Sequence, residues 1–200
     1  MKVNFANISE DLIKALNDAS REIGINRIAI VGGIIRDDIL RNYLQETIEL
    51  SKDLDICLEG SAHALAQEIK RTLGKERVSI IRINQNYLTV EMQVDNLKVD
   101  IATARKEIYP SPGENPKIFA AKLEEDLGRR DFTINSLALD LTNNNLVDLY
   151  NSKNAIHNKQ LEFIHSKSVE EDPTRIIRGA RYAGRLGLTI TPKSLKQIKS

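Results

Sequence analysis

The chain has 200 residues, of which 41% are hydrophobic and 28% are charged, and its formal net charge at pH 7 is +1. These values are typical of a globular protein of one or two domains, and a charge this small excludes a global attraction to nucleic acid. A disulfide within the chain is excluded because Cys57 is the only cysteine, and no apolar run approaches the ~20 residues of a membrane span. The first residues lack a signal-peptide pattern, so we expect a cytoplasmic protein.

The first predicted elements lead to a pair of glycines. A helix over residues 9–24 and a short β-branched strand over residues 27–31 precede Gly32 and Gly33, and a second helix carries Arg36 in its first turn. This order lets backbone N–H groups approach a phosphate, with Arg36 as a charged contact. A glycine turn that only joins strand to helix, with Arg36 exposed, fits the pattern equally.

Residues 42–52 are polar and indicate a loop, and an acidic pair follows on the next predicted strand. Asp53 and Asp55 are two residues apart, so both point to one face of a strand while Leu54 points into the core. Like charges held together repel unless a cation neutralises them, and ligands that are all oxygen favour Mg²⁺. The alternative is a pair of solvated acids on an exposed strand face.

A helix over residues 61–74 and a β-hairpin follow the acidic pair. Alternating apolar residues predict strands over 78–83 and 88–94, and a tight turn at 95–96 leads into a return strand. In that strand Asp100 points to the face opposite the apolar residues. Asp53 and Asp55 are placed in the same way on their own strand. Asp100 is therefore a candidate third catalytic carboxylate, and the alternative is an edge-strand acid that discourages aggregation.

Two cations precede the next predicted helix. Residues 104–121 contain three prolines and a glycine, which predicts a long loop of functional or mobile character. Helical spacing resumes at Thr133, and Arg129 and Arg130 stand just before it. Because the N-terminus of a helix is its positive end, two arginines there indicate a bound anion.

The last informative segment is a helix with arginines along one side. Asp172 is a suitable N-cap and Pro173 a suitable first helical residue. At 100° per residue, four arginines fall on or beside one arc: Arg175, Arg178, Arg181 and Arg185. Such a stack is typical of a surface that binds a nucleotide or polyanion, and the alternative is a solvated cationic face. Gly179 and Gly184 are expected to weaken this helix by up to about 1 kcal/mol each relative to alanine.

The cysteine and the histidines are not expected to bind zinc. Cys57 lies in an apolar strand, which predicts a small core residue rather than a nucleophile. His63, His157 and His165 have polar neighbours, and none is spaced from a cysteine as zinc ligands are, so we expect all three on the surface.

Four motifs, in this order, resemble those of the class II tRNA nucleotidyltransferases. This family contains the CCA-adding enzymes, their CC-adding and A-adding relatives and the bacterial poly(A) polymerases. The motifs are Gly32-Gly33-x-x-Arg36-Asp37, Asp53-x-Asp55, Arg129-Arg130-Asp131-Phe132-Thr133-Ile134-Asn135 and Glu171-Asp172-x-x-Arg175-x-x-Arg178-x-x-Arg181. Each is modest alone, but together they are highly specific and cover most of residues 27–187.

The resemblance implies an α/β (α+β) fold. A polymerase-β-like nucleotidyltransferase head, with a mixed sheet flanked by helices, would occupy residues 1–152, and residues 153–200 would begin an all-α neck. Because the resemblance implies longer family members, with body and tail helices that hold the tRNA, we expect this chain to be either a fragment or a shortened protein.

The resemblance also implies roles for individual residues. Asp53 and Asp55 would hold Mg²⁺, and Asp100 joins them as the third catalytic candidate. Asp172 and Arg175 would read the Watson–Crick edge of the incoming base. The full set of implied nucleotide-binding residues is Gly32, Gly33, Arg36, Arg129, Arg130, Asp131, Asn135, Asp172, Arg175, Arg178 and Arg181.

The implied activity is template-independent transfer of nucleotides from ATP and/or CTP to the 3′ end of tRNA by a two-Mg²⁺ mechanism. The segment 100–105 resembles most closely the A-adding branch, and the long proline-containing loop resembles the loop tied to adding the terminal A. Two alternatives remain open: a poly(A) polymerase acting on other RNA, and a nucleotide- or RNA-binding module that has lost catalysis.

Overall fold

The computed structural model describes residues 8–42, 44–45 and 53–199, so most of the loop predicted over residues 42–52 lies outside the described residues. The helices are α1 Glu10–Glu22, α2 Gly33–Asn42, α3 Ala62–Leu73, α4 Leu123–Gly128, α5 Ser152–His157, α6 Ser168–Glu171, α7 Thr174–Leu186 and α8 Pro192–Lys199. The strands are β1 Ile28–Val31, β2 Asp53–Leu58, β3 Val78–Asn84, β4 Thr89–Val94, β5 Leu97–Thr103, β6 Arg105–Ile108, β7 Lys117–Ala120, β8 Leu137–Asp140, β9 Asn145–Asp148, β10 Gln160–Leu161 and β11 Thr189–Ile190.

Within the described residues, seven strands form one sheet in the order β3-β4-β5-β2-β1-β8-β9. Strands β2 and β5 run parallel, and the other neighbouring pairs of this sheet are antiparallel. The predicted mixed sheet with flanking helices is therefore confirmed. In the described part of the chain, no helix combines the length and the apolar character needed to cross a membrane.

The two faces of the sheet are covered unequally. Leu54, Ile56 and Leu58 alternate into the main core, which also buries the apolar sides of α1 and α3. Cys57 points the other way into a smaller cluster that includes Leu127 of α4. Because Asp55 shares the phase of Cys57, it also lies on this less covered face. The prediction that Cys57 is a core residue is confirmed.

The prediction of a long loop over residues 104–121 is wrong. Strands β6 and β7 pair there as an antiparallel hairpin, and its prolines and glycine are confined to the tip, residues 109–116. The hairpin has no apolar alternation for sequence reasoning to detect, since most of its residues are exposed or half-buried. Ion pairs at its base stabilise it instead, among them Arg105 with Glu107 at 3.1 Å.

The prediction of a helix that starts at Thr133 is also wrong. The chain makes a single 3₁₀ turn over Thr133–Asn135 and then continues as β8, which lies between β1 and β9 with all four residues buried. A short apolar run that is buried on both faces has no period of two, so its spacing does not distinguish strand from helix.

The arginine-bearing helix α7 begins at Thr174, with Pro173 as its N-cap, one residue later than predicted. The Asp172 carboxylate nevertheless accepts a hydrogen bond from the Thr174 N–H at 2.9 Å. Gly179 has a packing role, because a Cβ at this position would lie 3.0 Å from Cζ of Phe132. Its absence of a side chain therefore permits α7 to approach the Phe132 ring.

Candidate active site

Acidic side chains line the floor of the site on neighbouring strands. In the parallel pair β2–β5, Asp55 and Asp100 are directly in register. Glu91 of β4 is in register with Asp100 from the other side. In-register neighbours point to the same face of a sheet, so the three carboxylates form a row. Asp53 lies at the outer end of β2, in register with Lys98.

This row carries more negative charge than its surroundings neutralise. Burial raises the pKa of the Asp55 carboxyl to about 6, with Arg130 opposing the rise and the charges of Asp100 and Asp53 adding to it. Asp100 Oδ2 lies 3.0 Å from Lys98 Nζ, while its Oδ1 is buried and accepts no hydrogen bond from the described residues. A cation would relieve both conditions.

The residues present fit a hard divalent cation. Carboxylate oxygens are the ligands that Mg²⁺ prefers, and Mg²⁺ keeps several waters, so one or two carboxylates suffice to hold it. Across the described ranges, no group of three or more acidic, histidine or cysteine side chains is already gathered for metal binding. The fit therefore depends on the buried oxygen of Asp100 and on the raised pKa of Asp55 beside it.

The glycine pair adjoins the acidic floor. Gly32 has a φ of +75°, and a Cβ there would lie 3.3 Å from Nη1 of Arg130 and 3.4 Å from Oδ2 of Asp55. Helix α2 starts at Gly33, so its first N–H groups have no helical partner. The Gly32 N–H donates to the Leu137 carbonyl oxygen at 3.2 Å, so the donors left for a ligand are the first N–H groups of α2. They lie close to a cation and a carboxylate, an arrangement that suits a phosphate.

Arg129 and Arg130 follow the C-terminus of α4, where the helix dipole favours cations. The interpretation that they stand at the positive end of a helix is therefore wrong. Both pair with buried Asp126, through Nη2 atoms at 2.7 and 3.0 Å from its oxygens. Burial raises the pKa of the Asp126 carboxyl, but the two guanidiniums outweigh it and hold that pKa below its usual value. Nε of Arg130 is buried and has no hydrogen-bond partner among the described residues.

The wall opposite the acidic floor is formed by α7. Arg175 is 4% exposed, and its Nη2 donates to the carbonyl oxygen of Arg129 at 3.0 Å. Its Nη1 is buried and donates to no acceptor in the described part of the chain. Asp172 Oδ2 lies 3.9 Å from Arg175 Nε. A carboxylate and a guanidinium thus stand side by side with unused bonding capacity.

A relay of hydrogen bonds, exposed at Arg178 and buried at its other members, connects α7 to α2. Arg178 Nη2 lies 2.7 Å from Oδ2 of Asp131, whose Oδ1 accepts from Nδ2 of Asn135 at 3.0 Å. Asn135 Oδ1 accepts in turn from Nη1 of Arg36 at 2.5 Å, and Arg36 also pairs with Asp37 at 2.6 Å. Arg36 is 2% exposed, and its guanidinium binds protein side chains.

These elements enclose a cleft of about 720 Å³. The structure brings most of the predicted site residues together along it: Gly32, Gly33, Asp55, Asp100, Arg129, Arg130, Asp131, Asn135, Asp172, Arg175 and Arg178. Three predicted residues are not part of the lining. Asp53 is at the outer end of β2, Arg36 is in the relay, and Arg181 is exposed with its guanidinium 5.6 Å from the Tyr182 ring centre.

Residues 28–162 match the family described as the poly A polymerase head domain. The chain belongs to this family. It is 36% identical over 176 residues to the A-adding tRNA nucleotidyltransferase of Aquifex aeolicus (strain VF5), a match covering 86% of this chain and 20% of that protein. It is 34% identical over 187 residues to the CC-adding tRNA nucleotidyltransferase of Deinococcus radiodurans (strain R1), covering 92% of this chain and 47% of that protein.

Solved structures agree with the head-domain family. A CCA-adding enzyme in its apo form II matches with a TM-score of 0.81 at 27% identity, covering 96% of this chain and 44% of that one. A tRNA nucleotidyltransferase complexed with a primer tRNA and an incoming ATP analog matches with a TM-score of 0.73 at 32% identity, covering 92% and 48%. The predicted family and head fold are confirmed. The chain spans between about a fifth and a half of the length of the curated relatives it matches.

Sequence reasoning missed some residues that line the cleft of this head domain. Glu91 could have been predicted, because it lies on the polar side of β4, and the apolar side of the same strand is what indicated the hairpin. Tyr109 and the hairpin tip carried no such signal, since their segment was predicted to be a loop. The tip closes one side of the cleft, where the Gly113 N–H donates to the carbonyl oxygen of Glu170 at 3.1 Å.

Proposed function

We propose that this protein is a template-independent nucleotidyltransferase that adds nucleotides from ATP and/or CTP to the 3′ end of tRNA. Support comes from a cleft that combines an acidic floor, a phosphate-sized glycine turn and an arginine-bearing wall. The names of the relatives, A-adding and CC-adding tRNA nucleotidyltransferases, point to the same reaction. The proposal includes a cytoplasmic location, a head over residues 1–152 and the start of a helical neck over residues 153–200.

The observation that carries the proposal is the register of Asp55 with Asp100. The pair places two carboxylates beside the glycine turn and Arg130, where a nucleoside triphosphate would lie. We propose Asp53, Asp55 and Asp100 as the catalytic acids, with Asp53 and Asp55 as Mg²⁺ ligands. Bound Mg²⁺ would supply charge neutralisation on the phosphates and a lower pKa for the attacking hydroxyl.

The chain's own residues would bind and orient the reactants. Gly32, Gly33 and Arg130 would hold the triphosphate, since the glycine turn permits its close approach to the first N–H groups of α2 and Arg130 offers a guanidinium with an unused buried N–H. The RNA 3′-hydroxyl oxygen would then form a bond to the α-phosphorus, the bond to the pyrophosphate would break, and the hydroxyl proton would pass to a carboxylate of the acidic floor, such as Asp100. Closure by the hairpin tip would limit the access of water to this bond change.

Base selection would fall to Asp172 and Arg175. Adenine and cytosine both present an exocyclic amine beside a ring acceptor on their Watson–Crick edge. A carboxylate accepts from the amine and a guanidinium donates to the ring nitrogen. Guanine and uracil present a ring N–H donor at the same place, which would face the Arg175 donors. The pair therefore favours ATP and CTP over GTP and UTP.

The test uses a tRNA ending in CC, offered ATP and CTP separately, with and without Mg²⁺. Asp53→Ala combined with Asp55→Ala should reduce incorporation by at least about a thousandfold, as should chelation of the metal. Asp18→Ala, which removes a half-exposed acid of α1 (51% exposed), is the control and should retain the wild-type rate. Unchanged incorporation by the double variant would disprove the mechanism.

A poly(A) polymerase is the second candidate, because the matched family is described by that activity. It uses the same chemistry on other RNA, so product length separates the two. Addition that stops after one to three nucleotides on tRNA supports the first proposal, and long A-tails on unrelated RNA support the second. ATP binding without any Mg²⁺-dependent extension would indicate a binding module instead.

A further inference from the structure

His165 does not lie free on the surface, in contrast to the sequence-based expectation. It is in the turn between β10 and α6, and its Nε2 lies 3.3 Å from Oε2 of Glu171. The two side chains are 31% and 27% exposed. The main chain of His165 is also held in place, because its carbonyl oxygen accepts from the Ser168 N–H at 3.3 Å and from Nε2 of Gln197 at 3.2 Å. The ring is therefore presented to Glu171 from a fixed backbone.

Glu171 also contacts Arg175, which belongs to the wall of the cleft. The same carboxylate oxygen, Oε2, lies 3.9 Å from Nη1 of Arg175. This Nη1 is the buried nitrogen that has no hydrogen-bond partner among the described residues, whereas Nη2 is fixed by the Arg129 carbonyl. One oxygen of Glu171 thus stands between the His165 ring and the guanidinium that faces the incoming base.

The charges around the ring favour its neutral form. Burial lowers the pKa of the His165 imidazole, Glu171 of α6 opposes this change, and Arg175 of α7 reinforces it. The contact from α8 is Gln197, which is uncharged. With a carboxylate in front of it, Nε2 of a neutral ring carries the proton. A neutral donor orients Glu171 without cancelling the negative charge that attracts Arg175.

We propose that His165 is a positioning residue for base selection: it holds the Glu171 carboxylate in the place from which Glu171 aims the Arg175 guanidinium into the cleft. This inference rests on the proposed role of Arg175 in base reading. His165 does not contact the nucleotide, so its loss should change which base is preferred and leave the binding of the triphosphate itself intact.

The experiment measures equilibrium binding of ATP and of GTP to the intact protein by titration calorimetry, and extension of a tRNA ending in CC in parallel. His165→Ala should lower the preference for ATP over GTP by about tenfold, the size of one lost charge-assisted hydrogen bond, through weaker ATP binding alone. His165→Gln should restore the preference, because its Nε2 donor has a similar reach. His157→Ala removes an exposed histidine of α5 and should match the wild type.

The outcomes are distinguishable. A structural role alone would lower the melting temperature of His165→Ala and weaken ATP and GTP equally, which would overturn the inference. A folded His165→Gln variant that behaves like His165→Ala would overturn it too, as would a wild-type protein that binds ATP and GTP equally. A wild-type protein that prefers ATP and does not extend RNA would contradict the proposed transferase function, while the binding ratios would still decide the role of His165.

Discussion

Two aspartates on the cleft side of the sheet, buried Asp126 and half-buried Asp55, have pKa values shifted in opposite directions. Asp126 is fully buried, yet its pKa is held below the usual value because Arg129 and Arg130 both contact it. Asp55 is less buried, and burial raises its pKa to about 6. Arg130 opposes this rise, and the charges of Asp100 and Asp53 add to it. Burial does not by itself determine the pKa of a carboxylate, because the number of cations that contact it also matters.

The largest effect on stability is expected from Asp126→Asn, which leaves two arginines without their shared counter-ion. Breaking a buried ion pair on one side costs about 3–5 kcal/mol. The folded-state pKa of Asp126 is lowered, so its stabilisation is present above the unfolded pKa and is lost as the pH falls through the folded pKa. The deficit of the variant should therefore shrink in acid, as measured by urea unfolding at several pH values.

Asp95→Asn is the matched control for this experiment. Asp95 also pairs with an arginine, Arg77 at 2.9 Å, but its side chain is 50% exposed. The control should leave the unfolding midpoint almost unchanged, because water replaces the lost partner. An Asp126→Asn protein as stable as the Asp95→Asn protein would show that Asp126 is not a stabilising counter-ion, which would remove its contrast with Asp55.

Asp55→Asn should change the free energy of unfolding in the opposite direction, that is, it should stabilise the protein. The folded pKa of Asp55 is about 6, so the folded state retains a proton that the unfolded chain releases from about pH 4 upward. Wild-type stability therefore falls as the pH rises through this window, by up to about 3 kcal/mol. The variant should be more stable than the wild type above about pH 6, by up to that amount, and equal to it near pH 4.

Added Mg²⁺ provides a further test of the prediction for Asp55→Asn. A cation bound at the acidic floor would neutralise Asp55, so it should stabilise the wild type at pH 8 and have no such effect on Asp55→Asn. Thermal unfolding with and without Mg²⁺ measures both proteins. An Asp55→Asn protein that is less stable than the wild type at pH 8 without Mg²⁺ would show that the carboxylate is already compensated.

The smallest effect is expected from Lys98→Gln. Lys98 lowers the pKa of Asp55 and pairs with Asp100, but it is partly exposed. Its removal should move the acid limb of the pH–rate profile to higher pH and reduce the rate at pH 8 by less than about fivefold. Lys75→Gln, on the exposed turn before β3, should leave the acid limb in place. An unchanged acid limb in Lys98→Gln would mean that Lys98 does not act on Asp55.

The sequence predicted the acidic floor better than it predicted the arginines. Alternation in the hairpin set the phase of Asp100, and the spacing of Asp53 and Asp55 set theirs. Their common face follows only from the parallel register of β2 with β5, which the structure supplies. The placement of Arg129 and Arg130 did not follow, because it depends on α4 and on β8. The four-residue strand β8 is buried on both faces and has no periodic signal.

The relay of Arg178, Asp131, Asn135 and Arg36 could not be predicted for a different reason. Its contacts join residues that are distant in the chain, and the motif spacing indicates only that such residues share a site. Whether an arginine faces the cleft or a protein carboxylate depends on packing. Arg36 shows this, because an Asp37 oxygen at 2.6 Å holds its guanidinium away from the cleft.

The tether between the hairpin tip and α6 joins two main-chain groups, the Gly113 N–H and the Glu170 carbonyl. Every amino acid carries a backbone carbonyl, and all except proline carry the N–H. Side chains of residues 109–116 that line the cleft can therefore be exchanged without loss of this hydrogen bond, except at Gly113, whose φ of +72° disfavours other residues. A change in the lining of the cleft on this side is thus compatible with an unchanged link between the tip and α6.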